Sequence, residues 1–480
     1  MKTKEEYIES LRKLKPRVYL YGREVGSVPD EPALRPGVNS VGSTYDYAWS
    51  SEPKVKALFR AKSAITGNET NVFNHMPQNK DDLYQWLEMM RFEGREVGCI
   101  MRCVGSDLLR TMFVTTYEID KKYGTEYHKR LRDYLKYIED EDLTVTAAMT
   151  DVWGDRSKQP HQQADPDLCL RVVGNRSDGV VIRGVKAPVT TSPFSHEILV
   201  TPTRAMTPED KDWTVVCGVP ANAEGVKIVV KPSSRPDDPD APITSKYAPA
   251  ENVIVFDDVF VPWERVFMCG ESEFAARVVE LFTTFHRFAC GTACKPGMAD
   301  VLIGAALNIA EYSGLDPMRI GHFREKLTNL IMMAEDMWAC GITAAHQSTL
   351  LEPGVCYPDP VFSNMGKLHC ALHTYDEYRI TMDFAGGIAW ALPDHESLEH
   401  PDIKNYVDKY FRGRADVPTE NRIKMLRLIY DLIPGIMGAR TAALALHGGG
   451  SEEAMRIMLQ RAYDTEDRKK LARRLAGITE

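Results

Sequence analysis

Apolar residues recur at three- and four-residue steps through the first 140 positions, the spacing that lines one face of a helix. The longest such run, Leu83 to Met112, lies in "KDDLYQWLEMMRFEGREVGCIMRCVGSDLLRTM"; Asp81 and Asp82 suit its start, and Gly124 suits a stop further on. Gly94, Gly98 and Gly105 weaken helix propensity there, so they predict close approach of another backbone or a cofactor, or kinks. Near residue 165 the period changes to strand-like alternation. "LCLRVVGNRSDGVVIRGVKAPVT" turns at a polar Asn-Arg-Ser-Asp-Gly, and "WTVVCGVPA", "GVKIVVKPS" and "ENVIVFDDVFVPWERVF" follow. The polar stretch "KPSSRPDDPDAPITSKYAPA" reads as a long loop suited to subunit contact. Helical spacing returns after Ser272, over 273–313, 317–347 and 361–385 and on towards the end. The pattern predicts an α+β chain with an N-terminal helical domain (1–139), an antiparallel β domain (140–272) and a C-terminal helical domain (273–480).

Composition narrows the function classes. Apolar residues make up 44% and charged residues 26%, which reads as soluble and globular. The net charge is −9 and the basic residues are dispersed, which argues against nucleic acid as a partner. "MKTKEEYIES" lacks the apolar segment of a secretory signal, and "DVLIGAALNIAEY" is too short to span a bilayer, so no membrane role is expected. Ten cysteines in such a chain suit a reduced, cytoplasmic protein whose thiols serve packing, metal or catalysis.

Two cysteine patterns stand out. "GCIMRCVG" spaces Cys99 and Cys103 four residues apart, and "HRFACGTACK" spaces His286, Cys290 and Cys294 by the same step. On helices, each set shares one face. If the two segments pack together, four thiolates, or three and an imidazole, converge. Thiolates favour iron–sulfur, zinc or Cu(I). Structural zinc pairs usually sit on tight turns with shorter spacers, whereas two rigid helices suit the wider iron–sulfur cubane. The plainer alternative is two separate buried pairs, since cysteine packs as a small apolar residue. Cys169, Cys217, Cys269, Cys340, Cys356 and Cys370 show no ligand spacing. "FAGGIAW" breaks a helical pattern at Gly386 and Gly387, where something can approach the backbone.

With these motifs in view, the chain resembles the 4-hydroxybutyryl-CoA dehydratase branch of the 4-hydroxyphenylacetate 3-hydroxylase family. The resemblance runs nearly end to end, through "YIESLRKLKPRVY", "TTYEIDKKYGTEYHK", "AMTDVWGDRS", "VVIRGVKA", "VFDDVFVPWERVF", "FAGGI" and "HGGGS". It implies an acyl-CoA dehydrogenase-like fold with a central antiparallel β-barrel and a C-terminal helical bundle, assembled as a homotetramer. It implies FAD and a 4Fe-4S cluster. By motif, Cys99, Cys103, Cys294 and His286 match the cluster ligands, with Cys290 the alternative to His286. His286, Glu251 and Lys295 match catalytic positions. Met149, Thr150, Asp155, Arg156, Ser157, Thr190, Thr191, Gly386 and Gly387 match the surroundings of the flavin. The implied activity is radical-type dehydration of a 4-hydroxybutyryl-CoA-like substrate, a small-molecule acyl-CoA, with double-bond isomerisation. The chain departs from the pattern in four places. Its His-to-Cys interval is one residue longer, the tyrosine expected between them is absent, Met101 replaces a glutamine, and "RTAALALHGGGS" lacks an expected glutamate. The rival readings are a reduced-flavin aromatic monooxygenase and a non-catalytic iron–sulfur redox protein. The hydroxylases of the family place a histidine in the segment matching "LTVTAAMTD", where this chain has Ala147 and Ala148.

Overall fold

The helix predicted from Leu83 to Met112 is two helices, Lys80–Glu96 and Cys103–Tyr123. The break begins at Gly98, whose φ of 77° lies in the left-handed region, and Met101 follows at 61°. Cys99 therefore sits on the connecting segment, and only Cys103 is helical, which corrects the expectation of one shared helix face. Asn79 caps the first helix by accepting from Asp82 N at 3.0 Å, and Gly124 at φ 70° ends the second. A computed structural model describes residues 1–232 and 236–478 of the chain.

The three glycines have distinct reasons. A Cβ on Gly94 would collide with the carbonyl of Cys294 and crowd Gly297, and one on Gly297 would collide with the carbonyl of Arg91. The helix Lys80–Glu96 thus meets Lys295–Tyr312 backbone to backbone. Gly105 likewise makes room for the carbonyl of Val145, at the start of the strand Val145–Ala148. Gly98 supplies the break.

The β region forms two sheets, and no closed barrel is found among the described residues. The larger has six strands in the order Arg23–Glu24, Val18–Leu20, Val226–Lys231, Glu251–Pro262, Gly179–Lys186 and Arg171–Arg176. The smaller has four: Val266–Cys269, Val215–Pro220, Glu197–Val200 and Val145–Ala148. Pairing is mostly antiparallel, but Val18–Leu20 runs parallel to Val226–Lys231, and Val145–Ala148 runs parallel to Glu197–Val200. The N-terminal region is thus helical with two strands lent to the larger sheet. Ile254 and Val259 of one sheet share an apolar core with Ile198 and Cys217 of the other, as alternating inward residues of two packed sheets do. Of the polar stretch read as a loop, residues 233–235 lie outside the described residues. Its later part carries the short helix Thr244–Tyr247, held where Asp431 Oδ2 accepts from the amides of Ile243 and Thr244 at 2.8 and 2.9 Å.

The C-terminal region is helical. Ala275–Ala289 continues through a π-helical turn, Cys290–Cys294, into Lys295–Tyr312. Gly321–His346 and Pro360–Ala385 pack beside it, followed by Thr419–Leu432, Ile436–His447 and Glu452–Ala462. The stretch Thr419–Ala462 contains an 18-residue window of mean hydropathy 1.2, of which 56% is buried. It is divided among three helices, and the longest, at 14 residues, rises about 21 Å, short of a bilayer core of about 30 Å.

Gly94→Ala is expected to lower the unfolding free energy by about 1–3 kcal/mol through overpacking. Gly26→Ala, where nothing lies within 4 Å of the added carbon, should leave it unchanged. Urea titration of both variants checks this.

A candidate thiol and imidazole centre

Backbone contact at Gly94 and Gly297 sets the segment 97–102 against the π turn. Cys99 there lies within hydrogen-bonding reach of both Cys290 and Cys294. Those two bonds, with the charges of Lys295 and Arg440 behind them, hold the Cys99 thiol well below its ordinary range. The same bonds, joined by burial, push Cys290 and Cys294 up. Cys103 opens the next helix and is raised by burial and by the charge of Asp107. Ligand atoms of Cys103, Asp107 and His286 lie within 4.8 Å of one another, all buried. His286 Nδ1 meets Asp107 Oδ2 at 3.0 Å. A carboxylate only accepts, so the shared proton sits on Nδ1 and the lone pair of the neutral ring on Nε2. Phe282 stacks on the ring with centroids 5.8 Å apart.

The π turn explains how the longer His-to-Cys interval is tolerated. Eight residues of unbroken α-helix would carry Cys294 about 80° past His286 around the axis. A π turn takes one residue more than an α turn, which returns Cys294 to the stripe bearing His286 and Cys290. The wide turn is clamped from outside. Gly291 lies on Lys367, and Thr292 fills notches left by Gly341 and Gly366 on the two neighbouring helices. The structure therefore holds two buried groups of candidate donors, Cys99 with Cys290 and Cys294, and Cys103 with His286, linked by the nearness of Cys99 to Cys103. Lys295, fully buried, sits beside them. Burial opposes its charge, but Cys99, Cys290 and Cys294 hold its ammonium above the ordinary range.

A second chain of contacts leads from the sheet to this centre. Glu251 begins the strand Glu251–Pro262. Its Oε2 accepts from Thr190 Oγ1 at 2.6 Å and its Oε1 from Arg440 Nε at 3.1 Å. Arg440 Nη1 then donates to the carbonyl of Cys99 at 2.9 Å. Arg440 Nη2 is buried with no hydrogen-bond partner among the described residues. Thr191 is buried at φ 65°, and the carbonyl of Thr190 accepts from Thr146 Oγ1 at 2.8 Å.

The remaining predicted residues are spread wider. Met149 and Thr150 are half-buried: Lys186 Nζ donates to the Met149 carbonyl at 2.7 Å, and the Ala187 amide to that of Thr150 at 2.9 Å. Asp155, Arg156 and Ser157 are exposed, and Asp155 Oδ1 accepts from Ser157 N and Oγ at 3.1 and 2.6 Å. Gly386 ends the helix Pro360–Ala385 at φ 68°, and open space surrounds it and Gly387 within the chain. His447 is exposed at the end of its helix.

Several residues of the centre escaped sequence reasoning. Asp107 was visible as a third member of a four-residue series, Cys99, Cys103 and Asp107. Arg440 and the buried Glu93, raised by burial beside Arg102 and Cys99, carry no local signal. Arg440→Met should lower stability by about 2 kcal/mol, the worth of hydrogen bonds to a charged group. It should also slow alkylation of Cys99 in the metal-free protein, because the thiolate loses a neighbouring cation. Urea titration and mass-spectrometric thiol mapping check both.

Residues 3–268 match the family model described as the N-terminal part of 4-hydroxyphenylacetate 3-hydroxylase, and residues 275–477 match its C-terminal part. The 4-hydroxybutyryl-CoA dehydratase/vinylacetyl-CoA-Δ-isomerase of Clostridium aminobutyricum is 37% identical over 99% of both chains. A solved oxygen-tolerant archaeal 4-hydroxybutyryl-CoA dehydratase from N. maritimus superposes with a TM-score of 0.94 at 38% identity, covering 100% of this chain and 95% of that one. The oxygenase component of 4-hydroxyphenylacetate 3-monooxygenase, solved with FAD, shares the fold: TM-score 0.86 at 22% identity, over 99% and 98% of the two chains. The chain belongs to the 4-hydroxybutyryl-CoA dehydratase branch of the 4-hydroxyphenylacetate 3-hydroxylase family.

Proposed function

We propose that this chain is a FAD- and 4Fe-4S-dependent hydro-lyase that removes water from 4-hydroxybutyryl-CoA or a close hydroxyacyl thioester and moves the double bond of the product. What supports the reading is a pair of adjoining buried groups, Cys99 with Cys294 and Cys103 with His286, within a chain related end to end to a named dehydratase/isomerase. The donor set fits an iron–sulfur cluster: the soft thiolates come from two segments, and the imidazole is oriented by a carboxylate on its other nitrogen. Arg440, with an unpartnered buried nitrogen between Glu251 and the Cys99 segment, fits a polar group entering there. When bound, the cluster supplies a Lewis-acidic iron for the leaving hydroxyl, and the flavin supplies one-electron chemistry that acidifies an otherwise inert C–H bond.

The residues of the chain divide the remaining work. Cys99, Cys103 and Cys294 hold the metal. His286 presents Nε2 as fourth donor, and when it is free Asp107 stabilises the imidazolium formed by taking a substrate proton. Lys295 offsets the negative charge of the thiolates. Glu251, fixed between Thr190 and Arg440, moves a proton near the flavin edge. Met149, Thr150, Thr190 and Thr191 line the flavin, Asp155, Arg156 and Ser157 steady its outer part, and Gly386 and Gly387 admit it from a partner subunit. A homotetramer is the corresponding assembly; the exposed Ile331, Met332, Leu372 and Tyr375 on Gly321–His346 and Pro360–Ala385 support burial against another copy. The hydroxylase reading is weaker, because positions 147 and 148 are buried alanines with no group to bind a phenol.

Protein purified without oxygen should be brown, carry about four irons per chain and convert 4-hydroxybutyryl-CoA to a product lighter by one water. A yellow, metal-free protein that consumes oxygen with reduced flavin would contradict this. Cys99→Ala and Cys294→Ala should each lose iron while keeping the circular dichroism of the folded protein. His286→Ala should retain part of the iron yet lose turnover, and Cys290→Ala should stay active; the reverse pattern assigns the fourth ligand to Cys290.

A further inference from the structure

Glu377 lies on the helix Pro360–Ala385 and is only 7% exposed. A buried carboxyl normally finds a donor. Glu377 has no hydrogen-bond partner and no direct ion pair among the described residues. Its side chain instead lines a cavity between Lys80–Glu96, Lys295–Tyr312, Pro360–Ala385 and Ile436–His447, together with Gly94, Gly98, Lys295, Tyr378 and Thr441. One end of this cavity abuts the thiol centre, since Gly98 precedes Cys99 and Lys295 follows Cys294. The exposed Arg95 and Glu96 mark the end open to solvent. The walls between are apolar, with Met298 and Leu302 among them. The cavity's free volume is about 30 Å³, room for a hydroxyl group or a water beside the carboxyl rather than for a whole substrate.

From this geometry we propose that Glu377 is the acid that protonates the leaving hydroxyl of the substrate, with Lys295 beside it to receive the resulting negative charge. The proposal rests on the lyase reading. In the step, the C–O bond breaks with its electron pair on oxygen, which takes the proton of Glu377 and departs as water. The proton lost from substrate carbon passes to His286. The two transfers sum to one water, with no net oxidation or reduction. Glu377 regains a proton from solvent through the end at Arg95 and Glu96, and His286 releases one.

The ionisation of Glu377 agrees with this use. Burial pushes its carboxyl up to about 8, with Lys295 opposing and Asp376 assisting. The titratable groups around it are Lys295 on the facing helix, Cys370, Asp376 and Tyr378 on its own, and Arg95 and Glu96 at the mouth. The group is thus a neutral acid at pH 7 and becomes a carboxylate as pH rises through about 8.

The test uses anaerobic holoenzyme with 4-hydroxybutyryl-CoA and the variants Glu377→Gln and Glu377→Asp. Glu377→Gln should keep its iron, flavin absorbance and KM (within about twofold), while kcat falls about 100-fold or more. The alkaline limb of the wild-type rate profile, near pH 8, should vanish. Glu377→Asp should recover part of the rate, with that limb displaced. Infrared spectra at pH 7 should show a protonated-carboxyl C=O band in the wild type that Glu377→Gln lacks. An active wild type matched in kcat and pH profile by Glu377→Gln overturns the proposal alone, as does loss of iron or flavin in that variant. A wild type inert toward the thioester overturns the lyase reading and the proposal with it.

Discussion

Two glycines let two helices touch. Where Gly94 of Lys80–Glu96 meets Gly297 of Lys295–Tyr312, no side chain separates the backbones, and each glycine faces a carbonyl of the other segment. This contact brings the Cys99 segment onto the Cys290–Cys294 turn. Without it, a Cβ on either side would push the segments apart and carry the thiols with them. Dispersion and burial then hold what sterics permit: Trp86, Leu87, Phe288 and Ala293 pack with Cys99, Cys103 and Cys294 in one apolar cluster. The centre is therefore rigid by packing, which is what a multi-atom inorganic group needs in its ligands.

The electrostatics of the centre follow from burying charge in that cluster. Cys99 is favoured as thiolate because two thiols donate to it and Lys295 and Arg440 stand near. Lys295, in turn, keeps its proton against burial because of the thiols around it. Asp107 faces both His286 and the buried guanidinium of Arg110, 3.6 Å away, so its charge is shared rather than isolated. The cationic groups thus border a site whose natural charge is negative, as thiolate-bound iron–sulfur clusters are.

Much of the fold was legible in the chain because it rests on local periodicity. The C-terminal helices Gly321–His346 and Pro360–Ala385 lie within a few residues of their predicted spans. The parallel edges of the sheets were not legible: Val18–Leu20 is three residues long, and its partner, Val226–Lys231, lies some 200 positions away. Nor does alternation distinguish two packed sheets from a closed barrel. At the site, four-residue spacing picked out cysteines that the fold buries near one another, but it implied the wrong local geometry. Gly98 and Met101 take positive φ and move Cys99 off the helix, while the π turn changes the step between Cys290 and Cys294. Arg440 and Glu377 act through position alone, so no motif announces them.

One metal centre shared by both segments, with one iron unlike the other three, is what the proposed donor arrangement requires. A Mössbauer spectrum of anaerobically reconstituted, iron-57-labelled protein tests it most directly. The expected result is a cubane spectrum that includes an iron site with a non-sulfur donor. A spectrum of isolated mononuclear iron, or no bound iron at all, would contradict it.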